Sequence, residues 1–228
     1  PMWVADMDFE APPVVRDALQ ARISHNVYGY TLPPPELNDV IVTRFSRLYQ
    51  WEVDPEWIVW LPGVVPALLA ACYAYAEEGD EVMVFTPVYP PFLAAPGKTG
   101  RRLKRIPLVR RGGKYAMDAE TVRQAITPKT KLLLLCHPHN PVGRAFSPDE
   151  LRPIVDLCLE HDIVICSDEI HCDLMLNGSP HRPTASLGDE VAAHTITLMS
   201  PGKTFNTAGL NTALAVVPDP RLRRLLDR

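Results

Sequence analysis

The chain has 228 residues, of which 46% are hydrophobic and 22% are charged, and its net charge is −4. This is enough apolar material for one substantial core, and the acidic balance lacks the basic surface that binding to a nucleic-acid backbone requires. No apolar run in the sequence approaches the roughly 20 residues of a membrane-spanning helix. We therefore expect a globular protein whose partners include neither nucleic acid nor a membrane.

Helical and strand patterns alternate along the chain. Apolar residues at helical spacing predict helices, and short apolar or β-branched runs predict strands. The predicted helices cover residues 11–23, 36–49, 64–76, 117–126 and 147–162, and another helix begins at residue 219. The predicted strands cover residues 81–87, 102–109, 131–138, 163–169, 194–201 and 213–218. Ser147, Pro148 and Glu150 predict a capping box at the start of the helix 147–162.

Apolar strands separated by helices are typical of parallel βαβ units with helices on both faces of the sheet. We therefore expect an α/β fold of three layers, α/β/α, with a mainly parallel sheet. In such sheets ligands bind at the carboxyl ends of the strands. Four polar loops follow predicted strands, and their sequences are TPVYPPF, HPHNPVG, SDEIHCD and SPGKTFN. We expect these loops to converge on a single site.

Each of these loops contains one side chain that has two interpretations, a structural one and a chemical one. Asp168 ends a buried strand and is either a cap or solvated acid, or a carboxylate that faces a protonated ring nitrogen. Asn140 is either a turn residue before proline or an amide donor to a ligand oxygen. Tyr89 either packs at the rim or covers the face of a flat ring. Lys203 is either a surface lysine or a lysine held for chemistry.

The junction between a glycine loop and a helix at residues 62–68 offers a phosphate site. The first N–H groups of a helix lack intrahelical partners and suit an anion, and Ser200 is placed to donate to the same phosphate. With Lys203 and the acid, amide and aromatic groups, these features match the requirements of pyridoxal phosphate, which proteins hold on a lysine with an acidic partner at the pyridine nitrogen. The sequence contains neither GxGxxG nor GxxxxGK[ST], which disfavours a dinucleotide or nucleoside-triphosphate site.

Histidines and cysteines near two of the loops raise zinc binding as an alternative. The side chains concerned are His137, His139, His171, Cys136 and Cys172. They lack a recurring ligand spacing, so we expect no metal site. The five cysteines are dispersed and form no CxxC pair, which is typical of a reduced, cytoplasmic protein.

The sequence resembles the fold-type I pyridoxal-phosphate enzymes of the class I/II aminotransferase superfamily, and within them the cystathionine β-lyase-like C–S lyases. The stretches that carry the resemblance, in family order, are PMWVADMDF, YGY, PGVVPAL, TPVYPPF, HPHNPVGRAF, SDEIHCDL and SPGKTFNTAGL. By this resemblance Lys203 would bind the cofactor covalently and Asp168 would face its pyridine nitrogen. The other implied cofactor contacts are Asn140 and His171 near the ring hydroxyl, Tyr89 on the ring face, Val64, Val65 and Ser200 at the phosphate, and Tyr30 at the phosphate of the partner subunit in a homodimer.

The resemblance implies a C–S β-lyase that releases a thiol, pyruvate and ammonia from a small sulfur-containing amino acid, such as cystathionine or a cysteine S-conjugate. It implies a large pyridoxal-phosphate-binding domain over residues 1–217, led in by residues 1–30. Residues 218–228 would start the connection to a small C-terminal domain that is absent from this chain. Many aminotransferases carry a phosphate-binding arginine where this chain has Asn211, and the lyase branch also lacks it. An aminotransferase is one alternative function, and a truncated, non-catalytic regulatory or binding module is another.

Overall fold

The computed structural model describes residues 5–176 and 178–227, which form eight α-helices and nine strands. The helices are α1 (Pro13–His25), α2 (Pro35–Tyr49), α3 (Val64–Tyr75), α4 (Pro90–Lys98), α5 (Ala119–Ala125), α6 (Pro148–Glu160), α7 (Asp189–Ala193) and α8 (Pro220–Leu226). The strands are β1 (Ile58–Leu61), β2 (Glu81–Thr86), β3 (Arg102–Pro107), β4 (Val109–Arg111), β5 (Lys114–Ala116), β6 (Thr130–Cys136), β7 (Val164–Asp168), β8 (Thr195–Met199) and β9 (Ala213–Val216). None of the helices in this described part has the length and apolar character needed to cross a lipid bilayer.

Within these residues seven strands form one sheet, in the order β1-β9-β8-β7-β6-β2-β3, and β4 pairs with β5 in a separate hairpin. The strands from β8 to β3 run parallel, whereas β9 runs antiparallel to β8 and to β1. Cys136 of β6 lies opposite Asp168 of β7, which in turn lies opposite Leu198 of β8. The carboxyl ends of three central strands therefore meet at one edge of the sheet.

Alternate residues of the central strands face two different layers of helices. Val84 and Leu134 pack in a core cluster with residues of α3, α4 and α8. Phe85 and Leu135 point to the opposite face and pack with residues of α5 and α6. Phe45 of α2 belongs to a further cluster with residues of β8 and β9. These layers confirm the expected three-layer α/β/α fold with a mainly parallel sheet.

Local sequence signals set the ends of several helices. α6 begins with the predicted capping box, in which the Ser147 hydroxyl accepts the Glu150 N–H and the Glu150 carboxylate accepts the Ser147 N–H. At α8 the carboxylate of Asp219 accepts the first two helical N–H groups at 2.8 Å. The Tyr75 hydroxyl of α3 donates to the carbonyl oxygen of Leu222 at 2.9 Å, so the helix predicted from residue 219 is anchored to the core.

Four elements were not predicted from the sequence: β1, α4, α7 and the β4–β5 hairpin. The short predicted strand 102–109 is split, because pairing with β2 ends at Pro107 and the chain then enters the hairpin. These additions extend the sheet at one edge, where β1 pairs with β9, and place a helix beside β2.

Candidate functional site

A cavity of about 1200 Å³ lies at the carboxyl edge of the sheet, between the loops that follow β2, β6, β7 and β8. Eight of the nine predicted site residues line it, and they are Val64, Val65, Tyr89, Asn140, Asp168, His171, Ser200 and Lys203. The ninth, Tyr30, lies outside the cavity and is fully exposed to solvent. The structure therefore brings together residues that are as far as 139 positions apart in the chain.

Asp168 is the last residue of β7 and its side chain is buried at the edge of the cavity. One carboxylate oxygen accepts the N–H of Ile170 at 3.1 Å, and among the described residues this carboxylate forms no salt bridge. Burial raises the pKa of Asp168 to about 7, with a smaller upward effect from Glu169, while the Ile170 N–H and the charge of Lys203 act in the opposite direction. A cationic partner placed in the cavity would stabilise the ionised form of this carboxylate.

Lys203 lies in the turn after β8, and its side chain forms no hydrogen bond or salt bridge within residues 5–176 and 178–227. Gly202, which precedes it, leaves little room for a side chain. A Cβ there would lie 3.1 Å from the Ser200 Oγ and 3.2 Å from the Cα of Ala208. His171 also faces this region, and its pKa is lowered by burial and then by the charge of Lys203. The close packing of Gly202 restrains the backbone just before Lys203.

The N-terminus of α3 forms another wall of the cavity. Val64 and Val65 are its first two residues, Pro66 has no N–H, and the Ala67 N–H already donates to Gly63 at 3.1 Å. Two backbone N–H groups therefore lack an intrahelical acceptor at this end, where the helix dipole also favours an anion. The Ser200 hydroxyl donates to the Thr212 carbonyl oxygen at 2.6 Å, so a contact with a phosphate requires this bond to be exchanged.

Tyr89 and Asn140 are joined through the backbone, because the Tyr89 N–H donates to the Asn140 carbonyl oxygen at 3.1 Å. This bond ties the loop after β2 to the loop after β6. The Tyr89 ring is half-buried at the cavity, and Asn211 lines the same cavity from the far side of the Lys203 turn. An aromatic ring, an amide and a second amide are thus available to a flat polar ligand.

Sequence reasoning missed a buried carboxylate–histidine pair beneath the cavity. Glu169, directly after Asp168, is fully buried and lies 2.6 Å from the Nε2 of His181. It also accepts the Ser167 hydroxyl at 2.8 Å and the Thr184 N–H at 2.9 Å. Burial alone would raise the pKa of Glu169, but the His181 ring holds it below its usual value. Glu169 was visible in the SDEIHCD stretch, but no sequence signal linked it to a histidine 12 positions away.

Two of the histidines considered as zinc ligands, His137 and His139, lie beside backbone carbonyl oxygens instead. Burial lowers the pKa of His137 to about 4, and its Nε2 lies 3.3 Å from the Arg182 carbonyl oxygen. The ring nitrogens of His139 lie 3.1 Å and 2.8 Å from the carbonyl oxygens of Cys136 and Pro87. Among the described residues, no three histidine, cysteine or acidic side chains are grouped so that they could hold a metal ion.

The residues present fit the pyridoxal phosphate that the sequence resemblance implies. A buried carboxylate at the cavity suits a protonated ring nitrogen, and the two free N–H groups of α3 suit a phosphate. Lys203 has no hydrogen-bond or salt-bridge partner among the described residues, and the glycine before it packs closely against Ser200 and Ala208.

Comparison with known protein families gives the same assignment. A family model described as aminotransferase class I and II matches residues 4–228. The chain belongs to this family.

Three relatives of this aminotransferase family are particularly informative. Cystathionine beta-lyase PatB of Bacillus subtilis (strain 168) is 45% identical over 225 residues, which cover 98% of this chain and 58% of PatB. The crystal structure of OvoB superposes with a TM-score of 0.96 at 42% identity, over 100% of this chain and 60% of OvoB. Cystalysin from Treponema denticola, whose structure contains pyridoxal 5′-phosphate, gives a TM-score of 0.94 at 36% identity, over 99% of this chain and 58% of cystalysin. The chain thus spans less than two thirds of the length of each of these relatives.

Proposed function

We propose that this protein is a pyridoxal-phosphate-dependent C–S β-lyase that acts on a small sulfur-containing amino acid and yields a thiol, pyruvate and ammonia. The observation that carries the proposal is the presence, in one cavity, of Lys203 and the buried carboxylate of Asp168. The similarity to a cystathionine beta-lyase over 98% of the chain supports this reaction class.

When bound, pyridoxal phosphate would supply the electron sink that makes removal of a Cα proton feasible. The Nζ atom of Lys203 would take this proton as a general base, which requires its amine to be neutral at that step. Asp168, once ionised, would hold a proton on the ring nitrogen. The N–H groups of Val64 and Val65 would bind the phosphate and thereby orient the ring, with Tyr89 covering one face. Asn140 and His171 would lie at the ring hydroxyl.

Both elimination and amino-group transfer begin with this step, and the presence of Asn211 supports the assignment to elimination. Many aminotransferases have an arginine at this position to bind the phosphate, and here an uncharged amide lines the cavity instead. An aminotransferase is the second candidate, because the matching family model is named for that activity. The two reactions differ in where the amino nitrogen ends: as free ammonia after elimination, or on the cofactor after transfer.

The decisive experiment is an assay of pyruvate release from cystathionine or a cysteine S-conjugate, with the protein supplied with pyridoxal phosphate. We expect wild-type protein to release pyruvate and to absorb at the violet edge of the visible spectrum, and Lys203→Ala to lose both. Lys98→Ala, which removes an exposed lysine at the end of α4, is the control and should retain both.

Three results of this assay would contradict the proposal in different ways. Undiminished pyruvate release by Lys203→Ala would remove Lys203 from the mechanism. Conversion of the cofactor to its amine form without pyruvate would identify an aminotransferase. A wild-type protein that neither binds the cofactor nor releases pyruvate would indicate a non-catalytic module.

We also propose that the working enzyme is a homodimer in which Tyr30 reaches the phosphate of the partner subunit. The Tyr30 side chain is fully exposed, and Tyr73 of the apolar helix α3 is 61% exposed. A helix that is apolar all round is typical of burial against another surface. Sedimentation should give a dimer, and Tyr30→Phe should weaken cofactor binding, whereas Tyr28→Phe should not.

The proposal also covers the domain organisation of the protein and its cellular compartment. We propose that residues 1–217 form the large cofactor-binding domain and that residues 218–228 begin the connection to a small domain, with α8 anchored to the core of the large domain. All five cysteines are free and buried, which supports a reducing compartment and hence a cytoplasmic protein.

A further inference from the structure

Asp173 gathers three hydrogen bonds from distant parts of the chain. One carboxylate oxygen accepts the Tyr49 hydroxyl at 2.8 Å. The other accepts the Arg44 guanidinium at 2.7 Å and the Thr204 hydroxyl at 2.8 Å. The side chains of Arg44 and Asp173 are only 28% and 18% exposed, so solvent screens this cluster weakly.

The three donors belong to two structural units. Arg44 and Tyr49 lie on α2, which is held in the core by Phe45 and by Tyr49 itself. Burial raises the pKa of Tyr49, as do Cys172 and Asp173, so its hydroxyl stays protonated and acts as a donor. Thr204 lies in the Lys203 turn (residues 201–206), directly after the lysine. Asp173 therefore links this turn to a helix fixed in the core.

Other attachments of the Lys203 turn do not provide the same anchor. Within the described residues, two side chains of the turn hydrogen-bond outside it, Thr204 to Asp173 and Asn206 to Met7 and Phe9. The segment that Asn206 holds has no buried residue, since Met7 is half-buried and Phe9 is exposed, so this attachment does not reach the core. Lys203 has no hydrogen bond of its own there. Its direction is set by the backbone on either side, where Gly202 packs closely before it and Thr204 is hydrogen-bonded to Asp173 after it.

We propose that Asp173 is a positioning residue, which acts through the hydroxyl of Thr204 to hold the Lys203 turn against α2 and so to aim Lys203 into the cavity. This inference rests on the proposed function for its effect on turnover, but the restraint of the turn is a property of the chain alone. Misplacement of a reacting group by about 1 Å can cost on the order of 100-fold in rate. Loss of the restraint should thus lower kcat more than it changes KM.

The test compares Thr204→Val, which removes the hydroxyl at nearly constant volume, with Thr204→Ser, which keeps it. We expect Thr204→Val to lower kcat about tenfold or more with KM changed less than about threefold, and Thr204→Ser to restore most of the loss. Amide hydrogen exchange in residues 201–206 of the cofactor-free protein should be faster in Thr204→Val than in wild type or Thr204→Ser.

Thr195→Val is the matched control for loss of a buried hydroxyl. The Thr195 hydroxyl donates to the Val191 carbonyl oxygen at 2.7 Å, at the opposite end of β8 from the turn. We expect this variant to be less stable than wild type, with kcat and exchange in residues 201–206 unchanged. If Thr195→Val accelerates exchange in the turn as much as Thr204→Val does, general destabilisation explains the effect and the inference is wrong.

Asp173→Asn closes a double-mutant cycle with Thr204→Val. If the aspartate acts through the threonine, the two effects on exchange and on kcat should be less than additive in free energy. Fully additive effects, or an unchanged turn in Thr204→Val, would overturn the inference. If the wild-type protein has no lyase turnover, the proposed function fails, but exchange in the cofactor-free protein still decides whether Asp173 restrains the turn.

Discussion

The strand-end loops and the N-terminal arm (residues 5–34) are held in opposite ways. In the loops, Asp168 and Glu169 are at most 5% exposed and are surrounded by hydrogen bonds from the same chain. In the arm, no residue is buried, and α1 lacks both a buried face and a side-chain N-cap. The side chain of Asn206 attaches the arm to the body through the backbone of Met7 and Phe9.

On the proposed dimer, this difference would separate the parts of the site that one chain builds alone from those that a partner subunit completes. The floor of the cavity follows from the register of three parallel strands, which places its acid, and the turn that carries the lysine follows the last of these strands. The arm carries exposed apolar side chains such as Val14, Ile23 and Tyr30, which the partner subunit of the proposed homodimer would cover. We therefore expect the floor and the arm to respond differently to substitution.

The largest contrast is expected between two leucine-to-alanine substitutions. Leu134 of β6 is 1% exposed in the main core cluster, whereas Leu19 of α1 is 43% exposed. Leu134→Ala should lower the free energy of unfolding by about 2–5 kcal/mol, because it removes buried methyl groups and leaves a cavity. Leu19→Ala should change it by less than about 0.5 kcal/mol. Urea denaturation of the cofactor-free protein measures both, and similar losses would mean that the arm is part of the cooperative core.

A second contrast concerns pH, since the floor contains a buried acid. Burial raises the pKa of Asp168 to about 7, so between pH 4 and 7 the folded protein keeps a proton that the unfolded chain has released. This contribution to stability is complete below pH 4 and is lost as the pH rises toward 7. For a pKa raised to about 7, the free energy of unfolding should fall by at most about 4 kcal/mol over this pH range.

Asp168→Asn isolates this effect, because an amide does not titrate. The free energy of unfolding of the cofactor-free wild type should fall relative to that of Asp168→Asn as the pH is raised from 4 to 7. Denaturation curves at four or five pH values measure the difference. Two stability profiles that run parallel over this range would show that the acid is solvated, and the floor would then resemble the arm.

The sequence predicted much of this arrangement because the central elements have strong local signals. The buried strand 163–169 appears as β7 and the helix 147–162 as α6, with its capping box. The strand-end loops converge as expected, since parallel strands bring their carboxyl ends to one edge.

Elements that depend on tertiary packing were missed. α4 contains three prolines and a glycine, which are poor helix formers, and it is stabilised by Phe92, whose side chain is fully buried. β1 has four half-buried residues and exists through pairing with β9, whose antiparallel direction leaves no trace in its apolar pattern. The contact of Asp173 with Thr204 spans 31 positions and depends on how two loops fold. No local pattern encodes such a contact.

The smallest expected effect lies at the junction of the two regions. Asn206 accepts the Met7 N–H at 3.1 Å and donates to the Met7 and Phe9 carbonyl oxygens at 2.9 Å and 2.7 Å. Its own φ is 52°, a left-handed conformation that glycine adopts without strain. Asn206→Gly therefore removes the three bonds while keeping the backbone of the turn relaxed.

Because the arm buries nothing, its release should cost less than about 1 kcal/mol of global stability. Amide exchange in residues 5–9 should nevertheless accelerate, while exchange in β7 and β8 stays slow. Asn26→Gly is the matched control, since Asn26 ends α1 in the same left-handed conformation, with φ 58°, and should leave exchange in residues 5–9 unchanged. If Asn206→Gly instead destabilises the whole protein by several kcal/mol, the arm and the floor form one cooperative unit, since three hydrogen bonds that are exposed or only partly buried cannot account for so large a loss.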